Sequence, residues 1–238
     1  MEPRKGSEGS SSLPRGATNA DRQGNHEDAQ RPRVGLMGGS FDPVHAGHLY
    51  VARAAREHAG LQEVIFVPAA RPPHKPDRVL TPGDDRLALL EAALDGAVGM
   101  RLVNLELDRE GPSYTIETVR ALEDLFGGPD AVELHLILGG DNLPGLGSWK
   151  EVEELLERVT PLVVHRDEDL EGSLARVGGA LPAHLQEKLQ RGLIKVAPHP
   201  ASSTSLRGQL TRGEDPGADL PPGCLDIVRA RGLYGWNC

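Results

Sequence analysis

The run Val34-Gly35-Leu36-Met37-Gly38-Gly39-Ser40-Phe41-Asp42-Pro43-Val44-His45-Ala46-Gly47-His48-Leu49 joins an apolar stretch to a glycine turn and then to two histidines three residues apart. Its apolar half predicts a buried strand over 33–37. After the turn, Leu49, Val51, Ala52 and Ala55 recur at helical spacing and predict a helix over 46–58. His45 and His48 then lie in its first turn, and residues three apart share a helix face. Unpaired N–H groups and the macrodipole already favour an anion there. Strand, glycine turn and His-x-Gly-His helix start therefore read as a phosphate site that needs no P-loop. There are plainer readings: either histidine could cap the helix or face solvent, and Gly38-Gly39 could be only a tight turn. Zinc is a further alternative, but it usually needs a third ligand and the Glu of the zincin pattern, which this run lacks.

Outward from this run, strands and helices alternate. Strands are predicted over 33–37, 63–67, 101–107, 131–138, 161–165 and 193–197. Helices are predicted over 46–58, 115–126, 149–158 and 182–190, with two more starting near Ser203 and Pro222. A further helix is capped by Thr81, has Pro82 at its first position and carries Leu87, Leu90, Ala93 and Leu94 on its apolar side. Alternation of this kind implies an α/β fold, a parallel sheet covered on both faces. Ligands of such sheets bind beyond the carboxyl ends of the strands, at the switch point. His45, Lys75, Asp141 and Ser203 all fall just after predicted strands or in the loops extending from them. Neither a G-x-G-x-x-G fingerprint nor a G-K-[S/T] P-loop is present, which removes the two commonest nucleotide-binding readings of an α/β chain.

Composition sets the bounds. The chain has 238 residues, 38% of them apolar, with a mean hydropathy of -0.36. That suits one medium domain with an ample core and no membrane-spanning run. Aromatic residues make up only 3%, so Trp149 and Tyr114 stand out. A net charge of -9 argues against a general nucleic-acid surface, so any anion site must be a local arrangement of basic groups. Cys224 and Cys238 supply neither a disulfide framework nor a metal cluster, which fits a reducing cytoplasm. Residues 1–32 are rich in Gly, Ser, Arg, Asn, Asp and Gln and carry almost no large apolar side chain besides Leu13. Such a segment cannot bury enough surface to offset its ordering entropy, and it lacks the apolar core of a secretory signal. It is expected to be a disordered tail or an over-extended translation start, leaving 33–238 as a single α/β domain.

The stretch from Gly38 to His48 resembles the first signature of the nucleotidyltransferase superfamily with the His-x-Gly-His motif, and within it the nicotinate mononucleotide adenylyltransferases. Four further segments resemble that family in the same order: Pro72-Pro73-His74-Lys75, Gly111-Pro112-Ser113-Tyr114-Thr115-Ile116-Glu117-Thr118, Gly139-Gly140-Asp141 followed by Trp149, and Ser202-Ser203-Thr204-Ser205-Leu206-Arg207. The resemblance covers 33–235. It implies a Rossmann-like doubly wound parallel sheet with C-terminal helices, and transfer of AMP from ATP to nicotinate mononucleotide with release of pyrophosphate.

On this reading His45 and His48 donate to the triphosphate, and Arg207 forks onto its β- and γ-phosphates. Beside so much negative charge the imidazole pKa values should rise. Gly38, Gly39 and Ser40 let the backbone approach the nucleotide, Lys75 is a loop cation, and Gly139 and Asp141 face the adenosine ribose. Ser203 and Thr204 cap a helix whose N–H groups face phosphate. Tyr114, Thr115 and Trp149 line the mononucleotide side, Trp149 by stacking on the pyridine ring. Solvated, capping or core roles are the alternatives for Lys75, Asp141, Thr115 and Trp149. Asp42 orients the turn or touches ligand, and Arg166 is assigned to adenine or phosphate. Mg²⁺ is expected to ride on the nucleotide, because no Asp/Glu cluster declares a protein cage. The chain departs from the family at Ala201, at His165-Arg166-Asp167 and across 167–180. The competing readings are a related enzyme acting on nicotinamide mononucleotide or phosphopantetheine, and a non-catalytic nucleotide sensor.

Overall fold

In the computed structural model, which describes residues 31–73, 79–165, 172, 174 and 181–236, six strands run parallel. They are β1 (Arg33–Gly39), β2 (Glu63–Pro68), β3 (Met100–Leu102), β4 (Glu133–Gly139), β5 (Thr160–His165) and β6 (Leu193–Lys195). Their order in the sheet is β3-β2-β1-β4-β5-β6. The helices among the described residues are α1 (Ala46–Ala59), α2 (Gly83–Leu94), α3 (Thr115–Phe126), α4 (Leu143–Leu146), α5 (Val152–Arg158), α6 (Ala183–Arg191), α7 (Ser203–Thr211) and α8 (Cys224–Arg231). The segment through residue 30, Lys75, Arg166 and most of 167–180 lie outside the described residues.

The period of a strand sorts side chains into two apolar layers. From β1 and β2, Val34, Leu36, Ile65 and Val67 join the layer of Ile116, Val119, Leu155 and Leu185, on α3, α5 and α6. Met37, Val64 and Phe66 join the opposite layer, with Leu49, Leu89, Leu206 and Val228 from α1, α2, α7 and α8. Covering both faces is why Val64-Ile65-Phe66-Val67 reads as an unbroken apolar run, all four fully buried. From β1 the chain builds outward to β2 and β3, then crosses back to place β4 on the other flank of β1. Connections leave β1 and β4 in opposite directions, so their carboxyl ends open a crevice.

The doubly wound sheet is as expected; several boundaries are not. β3 stops at Leu102 instead of running to Leu107. Val103 N still donates to Phe66 O, but the chain then turns, with Arg109 N donating to Glu106 O and Asn104 Nδ2 to Asp108 Oδ1. The helix expected over 149–158 begins only at Val152, because Glu151 stands in the left-handed region at φ 50, leaving Trp149 in a turn. Pro82, not Thr81, is the N-cap of α2. On that helix Arg86 takes an inward position where the apolar pattern favours Leu87.

Tight packing between β5 and α6 yields a test. A Cβ on Gly192 would lie 1.9 Å from the backbone oxygen of Pro161. One on Gly35 would lie 2.9 Å from Ile137 Cδ1 and Leu61 Cδ1, side-chain ends that can shift. Gly192→Ala should therefore cost about 3 kcal/mol and Gly35→Ala about 1 kcal/mol. Urea denaturation of the pair checks the ranking, and equal losses would contradict it.

Candidate active site

The loop between β1 and α1 has carbonyls that neither strand nor helix can satisfy, and three of them are met by side chains from distant elements. Arg86 Nη1 donates to Ser40 O (2.7 Å), Arg207 Nη1 to Asp42 O (2.7 Å) and Ser203 Oγ to Pro43 O (2.9 Å). A buried carbonyl left unmet costs roughly 1–3 kcal/mol, so these bonds decide the loop's path. Arg86 is 2% exposed and also donates through Nε to Thr81 O. Sequence reading missed it, since a buried arginine breaks an otherwise apolar face.

Phe41 holds a positive φ of 44. That conformation costs roughly 1–3 kcal/mol in a non-glycine residue. Burying the ring contributes about as much, and it lies against Phe66 (5.7 Å) and the edge of His48 (5.0 Å). Its presence also explains Gly39, where a Cβ would meet that ring at 3.0 Å. At Gly38 a Cβ would meet nothing within 4 Å, so packing does not require that glycine.

His45 is the N-cap of α1, one position outside the helix, and His48 lies in its first turn. The rings stack at 3.7 Å. Gly47 is what permits this, because a Cβ there would sit 2.9 Å from His45 Nδ1. His48 Nδ1 accepts from His45 N (3.1 Å), so a neutral His48 carries its proton on Nε2. Burial, and secondly the neighbouring His45, hold the His48 pKa well below its usual 6.5. Two stacked imidazolium ions would repel by on the order of a few kcal/mol, so the pair resists double protonation.

At α7 the capping role belongs to Ser202, whose Oγ accepts from Ser205 N (3.2 Å), and not to Ser203 or Thr204. Ser203 is instead spent on Pro43, and Thr204 Oγ1 accepts from Arg207 Nη2 (3.2 Å). His45, His48, Ser203, Thr204 and Arg207 are therefore brought around one loop.

Beside it a cleft is lined by Gly38, Gly39 and Ser40, by Pro72 and Pro73, and by Ser113, Tyr114, Thr115, Trp149 and Lys150. Lys150 Nζ lies 4.6 Å from the centre of the Tyr114 ring. Trp149 is partly buried against the α3–α5 layer and partly open to the cleft, so it serves packing and surface together. Tyr114 is the N-cap of α3, leaving Thr115 as its first residue. Glu106, which sequence reading missed, is 6% exposed in this wall. Burial raises its pKa, while hydrogen bonds from Thr118 and Ser113 and the charge of Arg109 pull it back. Asp141 is exposed in the turn after β4 and is not among the residues lining the cleft. Among the described residues no three His, Cys, Asp or Glu side chains cluster to hold a metal.

Comparison with known proteins adds three findings. Residues 36–209 match the family model described as Cytidylyltransferase-like. Proteins named "Probable nicotinate-nucleotide adenylyltransferase" from Gloeobacter violaceus and Halalkalibacterium halodurans are 39% and 38% identical, over 85% and 86% of this chain and 96% and 92% of theirs. The fold is that of a Plasmodium falciparum nicotinic acid mononucleotide adenylyltransferase solved with NaAD, with a TM-score of 0.67 and 20% identity, covering 87% of this chain and 99% of that one.

The lowered His48 pKa also makes a stability prediction. Between its folded value and 6.5 the unfolded chain binds more protons than the native one, so stability falls as pH drops through that window. From about pH 7.5 to about pH 5.5 the melting temperature should fall further in the parent chain than in His48→Gln. Parallel declines would show that His48 is not the group responsible.

Proposed function

The chain belongs to the Cytidylyltransferase-like family and, within it, to the nicotinate-nucleotide adenylyltransferases, and from that premise we propose that it transfers AMP from ATP to nicotinate mononucleotide, yielding nicotinic acid adenine dinucleotide and pyrophosphate for NAD biosynthesis. The observation that carries this reading is the joining of its two phosphate signatures, Arg207 onto Asp42 O and Ser203 onto Pro43 O.

The attacking mononucleotide phosphate is already ionised at neutral pH, so neither a general base nor a side-chain nucleophile is required. Its oxygen bonds the α-phosphorus as the bond from that phosphorus to the bridging oxygen breaks, and the electron pair leaves with pyrophosphate. The protein must align two polyanions and offer donors that strengthen as charge gathers on the leaving group. We assign that work to His45, His48 and Arg207, whose anchoring on Asp42 and Thr204 orients its planar fork. Gly38, Gly39, Ser40, Lys75, Gly139, Ser203 and Thr204 are assigned to ATP, with Asp141 for the ribose hydroxyls. Tyr114, Thr115 and Trp149 are assigned to the mononucleotide, supported by their place in one cleft. The donors around the loop are imidazole and guanidinium, which suits Mg²⁺ held by the nucleotide's own oxygens, where it offsets phosphate charge. Residues 33–238 are read as the one catalytic domain, with 1–32 outside the chemistry, acting in the cytoplasm. No helix among the described residues is long and apolar enough to cross a membrane.

Purified protein should release pyrophosphate with nicotinate mononucleotide at least about tenfold more efficiently than with the amide, a gap of roughly 1.4 kcal/mol. A smaller gap would mean dual specificity. His48→Ala should lower kcat by about 100-fold; a drop of less than about threefold would remove it from the reaction. Arg207→Lys should raise the KM for ATP more than that for the mononucleotide, and equal rises would argue against a phosphate role.

A further inference from the structure

Among the described residues, Glu106 and Lys150 are the charged ones lining the acceptor-side cleft, and Glu106 has no part in the reaction derived above. A carboxylate in the wall of a pocket for an anionic acceptor works against binding unless its charge is engaged elsewhere. Here it is engaged. Thr118 Oγ1 donates to Glu106 Oε1 at 2.5 Å, and the Ser113 hydroxyl donates to the same carboxyl. Ser113 Oγ in turn accepts from the N–H groups of Ala70 (2.9 Å) and Arg71 (3.2 Å), so its single proton is what it gives Glu106. Thr118 is 1% exposed, in the first turns of α3. One buried carboxyl therefore ties Ser113 to Thr118 at the start of α3, which presents Tyr114 and Thr115, and the Ser113 hydroxyl carries the link on to the chain after β2 that leads into Pro72 and Pro73.

We infer that Glu106 is a positioning residue of the acceptor pocket: through Ser113 and Thr118 it sets the spacing of the walls that receive the mononucleotide, and it leaves ATP binding alone. This rests on the assignment of that cleft to the mononucleotide. The brace has two arms, so removing either should loosen the same pocket.

Steady-state kinetics of the full chain decide it, varying nicotinate mononucleotide at saturating MgATP and then the reverse. Glu106→Gln keeps the shape and replaces one accepting oxygen with an amide nitrogen that cannot accept. It should raise the acceptor KM about tenfold, roughly 1.4 kcal/mol, while the ATP KM stays within about twofold. Thr118→Val removes one donor at nearly constant volume and should shift the acceptor KM the same way. It also serves as the readout if Glu106→Gln does not fold. The double variant should be no worse than Glu106→Gln alone, because both act through one carboxyl. If both KM values rise in step, if neither moves, or if the two substitutions simply add, Glu106 is structural and the inference fails. A parent enzyme that prefers another acceptor overturns the acceptor assignment instead, and the KM split measured with that acceptor still judges Glu106.

Discussion

The bond from the Arg207 guanidinium to the Asp42 carbonyl joins residues 165 positions apart and ties α7 to the loop between β1 and α1. Between β1 and α1 the backbone belongs to no regular element, so its carbonyls have no ladder partner, and every buried one needs a donor from somewhere. Arg86, Arg207 and Ser203 supply those donors from α2 and α7. The same contacts that satisfy the loop also carry basic and hydroxyl groups to the carboxyl end of β1. Stability and site assembly are one requirement here. Phe41 shows the balance: its backbone strain persists because its ring fills the gap between Phe66 and His48.

A chain of net charge -9 must handle a polyanion without a broadly basic surface. The basic groups gathered at the loop after β1 are local ones, the Arg207 guanidinium and a pair of stacked imidazoles. Burial, and secondly the ring stacked on it, hold the His48 pKa low. A neutral imidazole costs less to bury than an imidazolium. Negative charge is placed where it can be absorbed: Glu117 pairs with Lys150, and Glu106 with two hydroxyls.

The cleft beside that loop depends on a different kind of contact. Its walls come from the chain after β2, the start of α3 and the turn after α4, and among the described residues the backbone pairing across the cleft between these segments is that of Ser113 with Arg71. Side-chain bonds and the Trp149 ring must therefore fix its width. That makes the pocket's shape sensitive to single buried polar atoms such as those of Glu106.

Periodicity was enough to recover the doubly wound sheet, since an element buried on both faces must read as an unbroken apolar run, and Val64-Ile65-Phe66-Val67 does. The His-x-Gly-His turn was equally legible, because its glycines are dictated by sterics within the same turn, Gly39 by Phe41 and Gly47 by His45. Local chemistry misled where capping was the issue. Ser203 and Thr204 are good caps in isolation, but Pro43 and Arg207 claim them, and Ser202 caps instead. What the sequence alone determined was which segments are buried and which local turns are forced, since both depend on neighbours along the chain. Which arginine is buried at Ser40, which guanidinium holds Asp42 and which carboxyl ties Ser113 to Thr118 were decided only by tertiary structure. A backbone carbonyl looks the same in every residue, and only the folded chain determines which distant donor reaches it.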